Sequence, residues 1–334
     1  GTFQDLKINL QPAQFTFEGK PVFVQAELSN FDDLNYDIKA KGELDVNKIY
    51  KVFSQKGLDL DGFVKADLVL KGKQSDAEKG NYSKLHNKGT LELRNIGITS
   101  EYLPKKFIIK EGIFKINQDK MSFNNFLAAY GQSDFRMNGY LQNVFNYATT
   151  NTGVLRGAFT VSARYINVDE FMSSTTANTS VTENKKETSG PQTSTEQTGV
   201  IIIPDNLNLQ LTANAQKVYF DKLTLQNATG NLKMYKGKLT MQNTGFNLIG
   251  CNVTMNANYQ AITPQKANFD YNIKASDFDI KRAYNEIEVF RKMASAAEKA
   301  QGIVSLDYQL KGRLNSNMEP VYPSLTGGGT LSVK

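Results

Sequence analysis

One cysteine, one histidine and no tryptophan occur in 334 residues. The single thiol, Cys251, excludes an internal disulfide, so no disulfide framework marks the compartment. The single imidazole, His86, lies in a polar loop far along the chain from Cys251, and a Cys/His nucleophile pair would also need a third group to orient the base. With neither a His/Cys cluster nor an EF-hand spacing of carboxylates, no metal and no cofactor is expected. Serines are numerous, but no GxSxG elbow appears, and TGGGT at Thr326–Thr330 lacks the Lys-Ser/Thr that a phosphate-cradling loop requires. Paired carboxylates of a glycosidase leave no linear signature, yet the absence of Trp removes the usual aromatic platforms for sugar. The expectation is a protein that is not an enzyme.

Long apolar runs are missing too. The longest, Val200–Ile203, is far short of the roughly 20 residues that a membrane-spanning helix needs. The formal charge of +6 is spread as single lysines between apolar residues, the pattern of a solvated sheet face. The densest basic stretch, Lys71–Gly89, is interrupted by acids, so nucleic acid is not an expected partner.

What the chain has is period-two alternation. In GIFKINQDKMSFNNF, Phe114, Ile116, Met121 and Phe123 fall on one face, and Lys115, Asn117, Ser122 and Asn124 on the other, with a hairpin between Ile116 and Met121. The same grammar recurs in LNLQLTANAQKVYF, GNLKMYKGKLTMQN, NVTMNANYQ, ANFDYNIKAS and GIVSLDYQLKG. This predicts a mainly β protein: an antiparallel sheet with one apolar face.

Two internal repeats organise it. YDIKAKGELDVNKIYKVF at Tyr36–Phe53 returns as YNIKASDFDIKRAYNEIEVF about 235 residues on, followed in each case by a strand, GFVKADLVLKG or GIVSLDYQLKG. FTVSARYINVDEFM at Phe159–Met172 is a partial third copy. In all three, an Asx residue (Asp45, Asn167 or Asp279) ends a strand and leads into a short helix, the place of a turn or cap. Separately, the hairpin from Gly112 matches the one from Gly230 at an offset of about 118 residues. The chain therefore reads as a β module over 1–172, a Ser/Thr-rich insertion over 173–199 too polar to be ordered, and a duplicated β module over 200–334, the two modules adding edge to edge into separate sheets or one.

So many strands with one apolar face expose more apolar surface than a soluble monomer tolerates, so something covers it. Two sheets stacked about 10 Å apart would fill each other's faces. Alternatively, one long curved sheet makes a trough, partly plugged by the helices after the Asx corners, and the open remainder holds an apolar ligand. The candidate lining of such a groove is Phe114, Ile116, Met121, Phe123, Phe135, Met137, Leu232, Met234, Leu239, Met241, Val253, Met255, Phe269, Tyr271 and Ile273. Its methionines suit variable apolar partners.

The succession FTFEGKPVFVQAELSNFDDLNYDIKAKGELDV, GTLELRNIGI…LPKKFIIKEGIFKI, MSFNNFLAAYGQSDFRMNGYLQN and GAFTVSARYINVDEFM resembles the AsmA-like C-terminal region of Gram-negative envelope proteins grouped with TamB. The likeness covers most of residues 1–172 and resumes after the insertion, and its motifs are spacing, glycine positions and the GQSD turn. It implies a periplasmic protein anchored in the inner membrane by a segment outside this sequence. It also implies a β-groove that conducts phospholipid in outer-membrane biogenesis, with no catalytic residues. The start at Gly1-Thr2-Phe3 and the end within GGGTLSVK fit an excised piece whose missing ends carry a signal or anchor. A rival expectation is a structural β-sandwich that scaffolds the envelope without binding lipid.

Overall fold

The computed structural model describes residues 5–17, 19–46, 58–100, 102–149, 152–172, 199–293 and 295–334. The helix expected after Asp45, beyond Val46, and the Ser/Thr-rich stretch 173–198 lie outside the described residues.

Among the described residues, sixteen strands form a single sheet in the order β1 to β16. The first nine are β1 (Lys7–Phe17), β2 (Lys20–Ser29), β3 (Asn35–Asp45), β4 (Leu58–Lys73), β5 (Lys88–Ser100), β6 (Leu103–Asn117), β7 (Lys120–Tyr130), β8 (Ser133–Gln142) and β9 (Leu155–Asn167). The remaining seven are β10 (Leu207–Phe220), β11 (Leu223–Tyr235), β12 (Lys238–Leu248), β13 (Cys251–Thr263), β14 (Lys266–Asp279), β15 (Ile303–Leu314) and β16 (Thr326–Val333). All the strands of the described residues belong to this one sheet, and no second sheet is found among them. The two expected modules are thus halves of one sheet.

Pairing is antiparallel throughout except between β9 and β10, which run parallel with Leu155 opposite Leu207 and Tyr165 opposite Lys217. The sheet is antiparallel as expected but for this one seam. An antiparallel neighbour would begin where β9 ends; here the chain instead returns to the starting end of β9 before β10 begins.

Curvature has a local cause. Many strands carry a bulge, which inserts an unpaired residue and bends the strand. In β7 and β12 the bulge residues Asn125 (φ 52°) and Asn243 (φ 49°) sit in the left-handed region, and their N–H groups donate to the Oδ1 atoms of Asn138 (2.8 Å) and Asn256 (2.9 Å). Asn tolerates this conformation better than most residues. The two pairs stand at the offset of the hairpin repeat, so the duplication preserves the device that bends the strand. It also preserves the glycine opposite: a Cβ at Gly112 would overlap the Phe126 ring, and one at Gly230 would lie 2.8 Å from the Thr244 Oγ1.

The Asx corners act as caps where the structure describes them. Asn167 Oδ1 accepts from the Asp169 N–H, and Asp279 Oδ1 accepts from the Arg282 N–H at 2.8 Å, opening the helix Ile280–Glu286. The GQSD turn between β7 and β8 supports the Asn167 corner. Ser133 Oγ accepts from the Asn167 N–H, while the Asp134 carboxylate takes the Arg164 guanidinium and the N–H groups of Arg164 and Tyr165.

Candidate functional site

Following cross-strand partners along the ladder places all fifteen candidate residues on one face. Phe114 lies opposite Phe123, and Ile116 opposite Met121. Phe123 and Met121 face Gly139 and Leu141 on β8, the strand that also carries Met137 and Phe135 on that side. Gly139 faces Phe159, Phe159 faces Leu211 across the parallel seam, and Leu211 faces Leu232. Leu232 and Met234 continue to Met241 and Leu239, then to Ala257 and Tyr259, then to Tyr271 and Phe269. Val253 and Met255 face Ala275 and Ile273. Because the parallel pairing keeps the pleats in phase, the apolar face runs unbroken from one half to the other.

How open that face is varies along it. Phe114 and Phe123 are only 8% and 5% exposed, and Val253 only 3%. These three are core, not open lining. Phe114, Phe123 and Phe126 meet with ring centroids 5.4 Å apart, and Phe159 lies 6.0 Å from Phe123, so the bent sheet fills its own hollow at this point. Full burial of each such ring contributes about 1.5–3 kcal/mol. The other twelve candidates are half-buried, with no second layer of strands above them among the described residues. At the outer strands the same face is open: Ile8 and Leu10 on β1 and Leu331 on β16 are 48%, 44% and 48% exposed.

Both rims of the trough reach over it in the second half. β3, β9 and β14 run in one direction, so Asp45, Asn167 and Asp279 all stand on the same rim. From that rim Ile280 and Ala283 of the helix Ile280–Glu286 pack with Val253, Ala275, Phe278 and Val304, and Ile273 packs at the border of the cluster. From the opposite rim, Val200 and Ile203 pack with Tyr259, Ala267 and Leu314, and Met234, Leu239 and Phe269 border that cluster. Between the two covers, Leu232, Met241, Met255 and Tyr271 are the half-buried floor.

Polar groups on this face are few. Burial pushes the Tyr271 hydroxyl above its ordinary pKa, with the neighbouring Tyr308 adding to the shift, and burial does the same to Tyr259 against the opposing hydrogen bond to Ile201. Thr244, opposite Met255, has its Oγ1 buried with no hydrogen-bond partner. Cys251 is buried, its thiol donates to the Leu248 carbonyl at 3.1 Å, and burial raises its pKa. His86 is exposed, and among the described residues no group of His, Cys, Asp and Glu stands close enough to hold a metal ion.

The opposite face carries the charge. Several lysines there pair across strands with acids, as in Lys41–Asp67 (3.1 Å), Lys71–Asp37 (2.8 Å) and Lys274–Asp307 (2.8 Å). On this side Thr240, Gln242, Asn256, Asn258, Asp270, Asn272 and Gln309 line an open hollow of about 500 Å³.

Strict alternation missed Phe126, and Tyr259, which keeps the alternation of Val253 and Met255, was not among the candidates. The Asn125 bulge puts Phe126 three residues after Phe123 on the same face, and the Asn-Asn pair between them is the signal for that phase change. Alternation puts Tyr259 on this face, but its packing against Val200–Ile203 has no local signal, because that segment returns from a distant part of the chain. No helix among the described residues is long and apolar enough to cross a membrane. Comparison with family models, curated proteins and solved structures finds no match to the chain, so the likeness to the AsmA-like region stands on the sequence motifs alone.

Proposed function

We propose that the trough binds phospholipid acyl chains and lets them move along the ladder, as a periplasmic part of an AsmA-like envelope protein that supports outer-membrane biogenesis. A membrane anchor outside this sequence would hold it at the inner membrane. One observation carries the reading: an apolar face continuous across sixteen strands, half-buried along most of its candidate lining, with no second sheet on it among the described residues.

At about 4.8 Å between neighbouring strands, sixteen strands make a path of roughly 70 Å, longer than the ~30 Å hydrocarbon core of a bilayer. Each buried methylene contributes about 0.8 kcal/mol, so an acyl chain gains from any apolar stretch along the path and from no single point. Where the lining is open, a chain can slide because leaving one row of side chains is offset by entering the next. The process needs no bond-making step.

Native mass spectrometry of the protein purified from membranes, with uptake of a fluorescent fatty acid, tests the reading. Co-purifying lipid together with saturable uptake is expected. A lipid-free preparation that takes up no fatty acid would remove the proposal and leave the structural-scaffold alternative.

A further inference from the structure

Val200–Ile203, the longest aliphatic run in the chain, belongs to no strand, yet Val200 is 0% exposed and Ile203 8%. It lies on the trough lining, against Tyr259, Leu314, Met234, Leu239 and Phe269. Among the interactions that hold it there, the Val200 N–H donates to the Pro264 carbonyl at 2.9 Å, and the Tyr259 hydroxyl donates to the Ile201 carbonyl at 2.7 Å, with Met318 Sδ 3.7 Å away.

The chemistry of this position is specific. An aliphatic segment occupies an apolar floor, and one buried hydroxyl donates to a carbonyl within it. An acyl chain with its ester carbonyl presents the same two features. Resting on the lipid reading above, we infer that Val200–Ile203 is a resident competitor for an ester-lipid subsite, and that Tyr259 is the residue that selects an ester over a plain hydrocarbon or an ether. When lipid enters, the Ile201 carbonyl gives up the Tyr259 hydroxyl to the ester carbonyl, and the aliphatic side chains give up Met234, Leu239 and Phe269 to the acyl chain. The exchange is near balance because the lipid supplies a carbonyl for a carbonyl and methylenes for aliphatic side chains, so the strap can yield to lipid without unfolding the sheet.

The unmodified protein supplies the first test. Loading it with a phosphatidylcholine of ordinary ester linkage should speed hydrogen exchange at the Val200 amide, while amides in the middle of β13 stay protected; unchanged Val200 exchange in lipid-loaded protein overturns the inference and leaves the trough reading standing. The second test is the pair of substitutions Val200→Ser and Ile203→Ser, which weaken the strap and should increase the affinity for that lipid severalfold. Adding Tyr259→Phe should then erase a preference of about fivefold for the ester lipid over its ether-linked analogue, the size expected of one hydrogen bond. An equal preference before and after that substitution overturns the role given to Tyr259. Absence of lipid binding in the wild type and the strap variant alike removes the trough reading with it.

Discussion

Lysine in place of Met241 distinguishes a trough from a filled core. Met241 is half-buried on the floor, between Leu232 and Ala257 on the neighbouring strands. If the space above it is open, the lysine stem lies along the floor and its ammonium reaches water, as long basic side chains do at apolar boundaries. The loss is then part of the burial of one methionine, about 1 kcal/mol. Phe123, 5% exposed and ringed by Phe114, Phe126 and Phe159, has no such escape. Phe123→Lys leaves an unpaired charge in a packed cluster and a void where the ring was, for a loss of about 4 kcal/mol or more. Urea unfolding followed by far-ultraviolet circular dichroism reads both variants against the wild type, and fatty-acid uptake reads the function. Met241→Lys should remain folded and lose uptake, whereas Phe123→Lys should unfold at a much lower urea concentration. Equal destabilisation by the two substitutions would mean that the space above Met241 is as closed as that around Phe123, and the open floor would not exist.

Period-two patterning made the strands and the apolar face legible because the inner strands bury one side more than the other, while the alternation persists in the sequence of the exposed edge strands. The register of the candidate lining followed from it wherever the alternation was unbroken, as from Phe269 through Tyr271 to Ile273. Patterning failed at bulges, where Phe123 and Phe126 share a face at odd spacing, and it could not show that Phe114 and Phe123 are sealed by each other, since packing across a bend depends on curvature. The parallel seam was also hidden. Nothing local to Leu155–Asn167 or Leu207–Phe220 specifies strand direction; the route of the chain between them does. The Asx corners at Asn167 and Asp279 were legible for a simple reason: a side-chain oxygen two or three residues before an unpaired N–H is a local arrangement that needs no distant partner.

Three further perturbations follow from particular interactions. Burial raises the pKa of Asp119 despite the hydrogen bond from the Asn143 N–H and the charge of Arg156, so its ionised form costs stability as pH rises past the ordinary carboxylate value; Asp119→Asn should stabilise the protein at pH 7, with the gain disappearing in thermal melts below about pH 4. At Asp134 burial opposes ionisation, but hydrogen bonds from the Arg164 side chain and from the Tyr165 and Arg164 N–H groups outweigh it and hold the carboxyl below its usual range; this stability is present above about pH 4 and is lost as pH falls through the lowered value, so Asp134→Asn should melt lower at pH 7 and lose less than wild type on acidification. The duplicated glycines give unequal outcomes. At Gly112 a new methyl group meets the Phe126 ring, which is wedged between Phe114 and Phe123 and has nowhere to move, whereas at Gly230 it meets a Thr244 side chain that can rotate. Gly112→Ala should therefore cost about 2–3 kcal/mol in urea unfolding and Gly230→Ala less than about 1. Equal costs would show that the two halves are packed alike at the bulge, which would contradict the contrast between a self-filled first half and an open floor in the second.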